Sequence, residues 1–263
     1  MAFDLKSITT DPRVLPPRII LLGTPKVGKT TWAAAAPDVV LLPIKGEEGA
    51  DDMTCAKFPT AQTFDDIVEA IATLATEKHN YKFVTLDSTT AIERLVWEKA
   101  CADNKWQNIE SPGFGKGYVI ANTYWKFIID GLDHLRNERG MGCILIGHVK
   151  AKVFNDPQFD PYDTFMWDVK DTAASMMTKW ADCILFARPK QFVKSVGAKE
   201  KDERNETKHA IGQGERCLYT QERPAHPGGG RGVYGHLPYE LPLKFEAWAS
   251  EVDKLMQKQQ PKQ

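Results

Sequence analysis

The chain has 263 residues, and its 34 lysines and arginines nearly balance its 35 aspartates and glutamates, so the formal net charge is −1. This balance excludes a polybasic protein whose whole surface neutralises nucleic acid, although it permits a local basic loop. The composition, 42% hydrophobic and 26% charged, is typical of a globular protein with one large domain or two small ones.

Sequence signals of membrane and secreted proteins are missing from the chain. No run approaches the ~20 apolar residues that a membrane span needs, and residues 1–13 lack the apolar core of a secretory signal. We therefore expect a cytoplasmic protein with no membrane partner. The cysteines are odd in number and widely spaced, which predicts reduced thiols rather than disulfides or a zinc site. They are Cys55, Cys101, Cys143, Cys183 and Cys217.

Short apolar runs alternate with segments of helical periodicity over the first two thirds of the chain. Strands are predicted at residues 18–22, 38–42, 83–87, 143–148 and 182–187. Helices are predicted at residues 30–36, 64–78, 90–104, 120–139 and 172–180. Residues 110–117 and 149–170 are predicted loops. The alternation predicts an α/β fold, with a mostly parallel central sheet and helices on both faces.

The pattern changes after Pro189. A mixed charge run at residues 199–208 predicts a hairpin tip or a mobile loop between two strands. A strand at residues 216–220, a loop at 224–235 and a helix at 244–257 are predicted next. We expect an amino-terminal segment at residues 1–17, a core with a C-terminal β-hairpin extension at residues 18–243, and a terminal helix with a polar tail at residues 244–263.

The most specific motif lies between the first predicted strand and the first predicted helix. Residues 23–30 match the phosphate-binding pattern GxxxxGK[ST], whose glycines let backbone amides point at phosphate oxygens. Lys29 is predicted to pair with the β- and γ-phosphates and Thr30 to ligate Mg²⁺. The predicted nucleotide contacts are Gly23, Thr24, Pro25, Lys26, Val27, Gly28, Lys29, Thr30 and Thr31.

Carboxylates at two further strand ends are candidates for the rest of the site. Asp87 ends the third predicted strand and is predicted to hold the Mg²⁺ shell, with a helix cap as the alternative. The second strand leads into Glu47 and Glu48, either of which could orient or deprotonate the attacking water. We prefer Glu48, which precedes Gly49; the alternative is that both glutamates are surface charges.

With these motifs in place, the chain resembles the RecA-fold ATPases, and most closely the compact phage recombinases and single-strand annealing proteins that consist of a RecA core alone. The resemblance covers about residues 17–240, and it implies a RecA-like P-loop NTPase core that uses ATP and Mg²⁺. The residues that carry it are 23–30, Glu48-Gly49, Leu86-Asp87-Ser88, 146–150 and 180–187, with Arg216, Thr220, Arg231 and Leu237-Pro238 further on.

The resemblance also implies roles for single residues and an oligomeric assembly. His148, at the end of the fourth strand, would sense the γ-phosphate, with a structural hydrogen bond as the alternative. Arg231, or else Arg188, would complete the site of a neighbouring subunit in a ring or filament. Residues 1–17 would form an oligomerisation arm, although their apolar side chains could equally cover the chain's own sheet.

DNA contacts are implied in the two predicted loops. In residues 110–117, glycines permit a close approach of a strand, and Phe114 and Lys116 supply stacking and charge. The alternative is a flexible surface connection. The aspartates of residues 149–170 oppose a phosphate backbone. The contacts that we retain there are Lys150, Lys152 and Phe154.

Two functions follow from these expectations. The first is an ATP-hydrolysing phage-type recombination protein that assembles on single-stranded DNA, is stimulated by it, and promotes annealing or strand exchange in the host cytoplasm. Its partners would include a single-strand-binding protein or other replication and recombination proteins. The alternative is a nucleotide-switched accessory ATPase, of the helicase-loader or packaging type, that acts through protein partners. A small-molecule kinase is a weaker third choice, because the arginines are scattered.

Overall fold

The structure is a computed structural model that describes residue 4, residues 8–9, and residues 14–158, 160–196 and 207–259. Most of the expected amino-terminal arm therefore lies outside the described residues. The same is true of the charge run at residues 199–208, of which only the last two residues are described.

The described strands form one sheet of ten strands. They are β1 (Arg18–Gly23), β2 (Val39–Pro43), β3 (Ala56–Lys57), β4 (Phe83–Asp87), β5 (Gly142–Phe154), β6 (Tyr162–Trp167), β7 (Cys183–Val196), β8 (Thr207–Tyr219), β9 (Gly229–Gly230) and β10 (Glu240–Pro242). The main path runs β10-β8-β7-β1-β5-β4-β2-β3, with β6 paired to β5 and β9 to β7. The central strand β1 is parallel to both neighbours, β5 and β7.

Parallel pairing brings the carboxyl ends of the central strands to one edge of the sheet. Gly23 at the end of β1 is in register with His148 of β5, and Asp87 at the end of β4 is in register with Ile146 of the same strand. In open α/β sheets, ligands bind at this edge. The site lies where the connections that leave two adjacent strands cross to opposite faces of the sheet. The fold therefore gathers the predicted site residues before any side-chain contact is considered.

The helices cover both faces of the sheet, as predicted. They are α1 (Lys29–Ala34), α2 (Phe64–Thr76), α3 (Thr89–Asn104), α4 (Lys116–Glu138), α5 (Asp171–Trp180) and α6 (Phe245–Gln259). Helices α2 to α5 contribute to one hydrophobic cluster, and α1 and α6 to the other. β1 alternates between the two, since Ile20 and Leu22 belong to the first cluster and Ile19 and Leu21 to the second. Such a strand is buried on both faces, which explains its continuous apolar run.

The predicted fold class is confirmed. The chain has a RecA-like α/β core with a mostly parallel sheet, and β7 and β8 form an antiparallel hairpin from Phe186 and Tyr219 to Val196 and Thr207. This pairing is the predicted hairpin extension. None of the helices that the structure describes is both long and apolar enough to cross a membrane. All five cysteines are free thiols, as predicted.

Residues 149–170 are mostly a second hairpin, and the prediction of a loop there was wrong. β5 continues past His148 to Phe154 and turns back as β6, with Val149 opposite Trp167. Alternate residues share one face of such a ribbon, so Lys150 and Lys152 lie on the same face. We call β5 from Val149 onward together with β6 the β5–β6 hairpin. The sequence also missed the short edge strand β3, and α4 begins four residues before the predicted start at 120.

Candidate nucleotide site

The phosphate loop, residues 23–30, connects β1 to α1. Gly28 has a φ of 103°, in the left-handed region that glycine adopts without strain. Gly23 lies against β7, where a Cβ atom would collide with the carbonyl oxygen of Ala187. Both glycines of the motif are therefore required, one by the turn and the other by the close approach of a neighbouring strand.

Lys29 is buried at the centre of the site. Its ammonium donates to the carbonyl oxygens of Gly23 and Thr24, at 3.0 and 2.9 Å, and lies 3.4 Å from Nδ1 of His148. The side chain is only 5% exposed. Burial lowers the pKa of Lys29 to about 8, against the opposing charges of Asp87 and Glu47.

Thr30 and Asp87, the predicted Mg²⁺ ligands, lie in direct contact. The Thr30 hydroxyl donates to Oδ2 of Asp87 over 2.6 Å. Burial raises the pKa of Asp87, and the bond from Thr30 opposes this rise. Gly49 leaves the space beside the pair open, since a Cβ atom there would come within 2.9 Å of the Thr30 hydroxyl oxygen.

This oxygen pair fits Mg²⁺. The described residues contain no group of three or more histidine, cysteine, aspartate or glutamate side chains that could enclose a metal. Mg²⁺ does not need one, because it keeps several waters and binds through one or two protein oxygens together with substrate phosphates.

Glu47 belongs to a network of polar contacts that also includes Ser88, His148 and Lys29. Its Oε1 atom accepts a 2.5 Å bond from the Ser88 hydroxyl and lies 3.0 Å from Nε2 of His148. Because Lys29 donates toward Nδ1 of the same ring, the contacts assign the imidazole proton to Nε2. Burial opposes ionisation of Glu47, but the bonds from His148 and Ser88 outweigh it and lower the pKa of the carboxyl group.

Glu48, the base preferred from the sequence, is exposed, and its backbone carbonyl accepts from the amide of Asp51. Of the two carboxylates left open by the sequence, the structure brings Glu47 to His148 and Lys29. From the sequence, Ser88 was named only as part of the resemblance and was given no role, although a hydroxyl directly after a strand-terminal aspartate is visible there.

Arg231 lies far from the phosphate loop, beside the amino-terminal ends of the central strands. Its amide donates to the carbonyl of Asp182, immediately before β7 begins. Its guanidinium donates to the carbonyl oxygens of Lys179, Trp180 and Ala181, which end α5. These bonds occupy Arg231 within its own chain, so the geometry does not favour the role in a neighbouring site. Arg188, the alternative, lies 5.3 Å over the ring of Phe165.

The predicted DNA contacts lie on the surface. Phe114 is fully exposed, and Lys116 is exposed at the first position of α4. Lys150 and Lys152 are next to carboxylates. Lys150 forms a 2.5 Å ion pair with Asp168, and Nζ of Lys152 lies 4.0 Å from Oδ1 of Asp171.

The two predicted DNA regions adjoin each other. Lys170, which connects β6 to α5, has its ammonium 4.1 Å over the ring of Tyr118, in the first turns of α4. The next contact is between Thr172 and Asn122, whose side chains lie 3.5 Å apart. Both regions therefore belong to one side of the molecule.

Comparison with known proteins assigns the class. The model of the AAA domain family designated AAA_24 matches residues 15–232. This match spans most of the chain, and the chain therefore belongs to this family. Together with the fold and the phosphate loop, it identifies a P-loop ATPase domain of the nucleotide-binding class.

One solved structure is described as the crystal structure of the RadB recombinase. Its alignment with this protein covers 78% of this chain and 88% of the RadB chain, with 14% sequence identity and a TM-score of 0.39. At this TM-score the similarity carries no argument about function. A search of curated protein sequences finds no match.

Proposed function

We propose that this protein hydrolyses ATP and uses the cycle to bind and release single-stranded DNA, promoting annealing or strand exchange as a phage-type recombination protein. The observation that carries the proposal is the position of His148. Its ring contacts Lys29 and Glu47, while its backbone carbonyl accepts from the amide of Asp168 at the base of the β5–β6 hairpin. A movement of the His148 ring in response to the γ-phosphate would therefore act on the backbone at the base of this hairpin, next to Lys150 and Lys152.

The polar chain around Glu47 supplies the chemistry of hydrolysis. The bonds from His148 and Ser88 lower the pKa of Glu47 and keep it ionised, and an ionised carboxylate in this position can orient the attacking water and accept its proton. Lys29 exchanges the carbonyl oxygens of its own loop for the β- and γ-phosphates, and His148 lies next to the position that the γ-phosphate would take. Thr30 and Asp87 would hold Mg²⁺, which neutralises charge on the bridging phosphates when bound.

The DNA surface in this proposal combines the two adjoining regions. Phe114 and Lys116 offer an exposed ring and a charge in a glycine-rich segment, and Lys150 and Lys152 share a face of the β5–β6 hairpin. Proteins that bind single strands of any sequence usually stack the bases on aromatic side chains and place basic side chains along the phosphate backbone. Few contacts per subunit suffice if subunits repeat along a strand.

We propose that the protein acts as a ring or filament through an arm formed by residues 1–17. Ile8 and Val14, which the structure describes within this arm, are 73% and 75% exposed. Apolar side chains exposed near a chain terminus are available to a neighbouring subunit. The core at residues 18–243 and the helix and tail at residues 244–263 would then form the ATPase unit, alone or with a single-strand-binding protein.

One observation favours a second candidate. Lys150 and Lys152 face Asp168 and Asp171 within the chain, which reduces their attraction for a phosphate backbone. An accessory ATPase of the helicase-loader or packaging type, acting through a protein partner, would tolerate this arrangement.

The proposal is tested by steady-state ATP hydrolysis with and without a long single-stranded DNA, at two salt concentrations. We expect stimulation by the DNA that falls as salt rises, because phosphate contacts release counterions. Clear hydrolysis with no response to DNA at either concentration would contradict DNA-coupled turnover and favour the accessory ATPase.

A further inference from the structure

A small pocket lies beside the phosphate loop, on the face of the sheet that α1 and α6 cover. It has a volume of about 210 Å³ and opens at the second glycine of the motif. This volume is below the ~300–1,000 Å³ of pockets that enclose a drug-sized ligand, so it suits one planar ring system. Six of its lining residues are Gly28, Thr31, Trp32, Arg216, Leu243 and Phe245.

Several sides of the phosphate loop adjoin other parts of the chain, whereas Pro25 and Lys26 at its tip are exposed. Gly23 is in contact with Ala187 of β7. His148 lies against the ammonium of Lys29, and the pair of Thr30 and Asp87 lies beyond it with Gly49 alongside. The pocket adjoins the loop on the side of Gly28 and Thr31, which places it within reach of a nucleotide whose phosphates lie in the loop.

Arg216 of β8 extends over this opening. The guanidinium Nη1 atom would lie 2.9 Å from a Cβ atom on Gly28, so the planar group rests against the phosphate loop. The backbone of Arg216 is fixed because its carbonyl accepts from the amide of Leu243. Arg216 is exposed, and within the described part of the chain its guanidinium has no hydrogen bond or ion pair. An exposed guanidinium with no carboxylate partner is available to stack on a planar ligand.

We propose that this pocket is the nucleobase subsite of the ATPase and that Arg216, from the same chain, covers one face of the base. The inference rests on the proposed function, because it requires a nucleoside triphosphate in the phosphate loop. It extends that function by assigning the base contact to a residue of β8, more than 180 residues after the loop. Leu243 and Phe245 provide the apolar contacts next to it.

The experiment compares two ligands that share phosphates but differ in the base. Calorimetry with Mg²⁺ measures the dissociation constants of ATP and of inorganic tripolyphosphate for wild type, Arg216→Ala and Arg216→Lys. We expect the wild type to bind ATP at least tenfold more tightly than tripolyphosphate. Arg216→Ala should weaken ATP about tenfold and leave tripolyphosphate unchanged, because stacking on a guanidinium is worth roughly that factor. Arg216→Lys should resemble Arg216→Ala, since an ammonium has no planar face.

Arg94→Ala is the matched control, because it removes an exposed arginine on α3 and should change neither constant. Thermal unfolding checks that each variant is folded. Equal weakening of both ligands by Arg216→Ala, with recovery in Arg216→Lys, would identify a phosphate contact and overturn the base subsite. Unchanged ATP binding in Arg216→Ala would overturn it as well. A wild type that binds neither ligand would instead contradict the proposed function itself.

Discussion

The nucleotide site and the proposed DNA surface hold their charged groups in opposite ways. In the nucleotide site, Lys29 is bonded to backbone carbonyls and Glu47 to Ser88 and His148, all at the carboxyl edge of a buried sheet. On the DNA surface, Lys150 is half exposed and paired with Asp168. The fold alone brings the groups of the nucleotide site together. On the DNA surface, the lysines must break ion pairs within the chain before they can bind a phosphate backbone. Mutations should therefore have large effects in the first region and small, salt-dependent effects in the second.

The largest effect is expected for Lys29→Ala. It removes the only lysine that the structure brings into contact with the phosphate-loop carbonyls Gly23 and Thr24 within the described residues. We expect kcat/KM for ATP to fall by about 100-fold or more, because buried charge contacts to transferring phosphates are worth several kcal/mol. Steady-state kinetics measures this. Lys82→Ala, an exposed lysine just before β4, is the control, and unchanged ATP kinetics in Lys29→Ala would disprove the site.

A smaller effect is expected for Lys57→Met. The Lys57 ammonium donates to the carbonyls of Ala50 and Asp51, at 2.7 and 2.9 Å, and so fixes the segment that follows Glu47. We expect kcat to fall about tenfold with the ATP dissociation constant unchanged, because a misplaced carboxylate slows chemistry more than binding. Lys57→Arg should restore part of kcat, as a guanidinium can also donate to these carbonyls. A loss of ATP affinity that matches the loss of kcat would contradict a positioning role.

A pH series tests the buried environment of Lys29. With its pKa lowered to about 8, the group is mostly charged at pH 7 and mostly neutral at pH 9. Affinity for ATP should therefore fall by up to about tenfold over this interval, whereas a lysine with its ordinary pKa of ~10.4 would remain charged. Binding measured by calorimetry gives the profile. Lys29→Arg should remove the slope because guanidinium stays protonated, and a flat wild-type profile would contradict the burial effect.

The smallest effect is expected on the DNA surface. Asp168→Asn frees Lys150 from its ion pair, so we expect about threefold tighter binding of single-stranded DNA at low salt and no gain at high salt. Fluorescence anisotropy of a labelled oligonucleotide measures this. Glu251→Gln is a matched control, since it removes the partner of Lys254 in a similar surface pair on α6. Equal gains in both variants would indicate a general charge effect and weaken the case for the β5–β6 hairpin.

The sequence predicts several residues of the candidate nucleotide site because strand ends are visible in it. A glycine-rich turn after an apolar run located Lys29 and Thr30, and a strand that ends in a carboxylate located Asp87. Which of Glu47 and Glu48 turns inward could not be read, since neighbouring residues of a turn differ in orientation but not in residue type. Only the contact with Ser88 and His148 separates them.

The β5–β6 hairpin shows a different limit. Lys150, Ala151, Lys152 and Val153 alternate as a strand does, but the aspartates and aromatic residues that follow suggested a loop. Pairing with β6 supplied the backbone partners that the local sequence does not reveal. The contacts of Arg231 were not predicted for a related reason. Arg231 contacts the end of α5 because β9 pairs with β7 just before it. No local sequence pattern predicts this long-range pairing.

The central claim is that Glu47, and not Glu48, activates water in a nucleotide site that the fold has already assembled. Single-turnover ATP hydrolysis by Glu47→Gln and Glu48→Gln, with ATP affinity measured in parallel, tests it most directly. We predict that Glu47→Gln slows hydrolysis by at least ~100-fold with ATP binding close to wild type, because the amide keeps the shape but cannot act as a base. Glu48→Gln should remain within about twofold of wild type. Normal turnover in Glu47→Gln together with loss in Glu48→Gln would contradict the account.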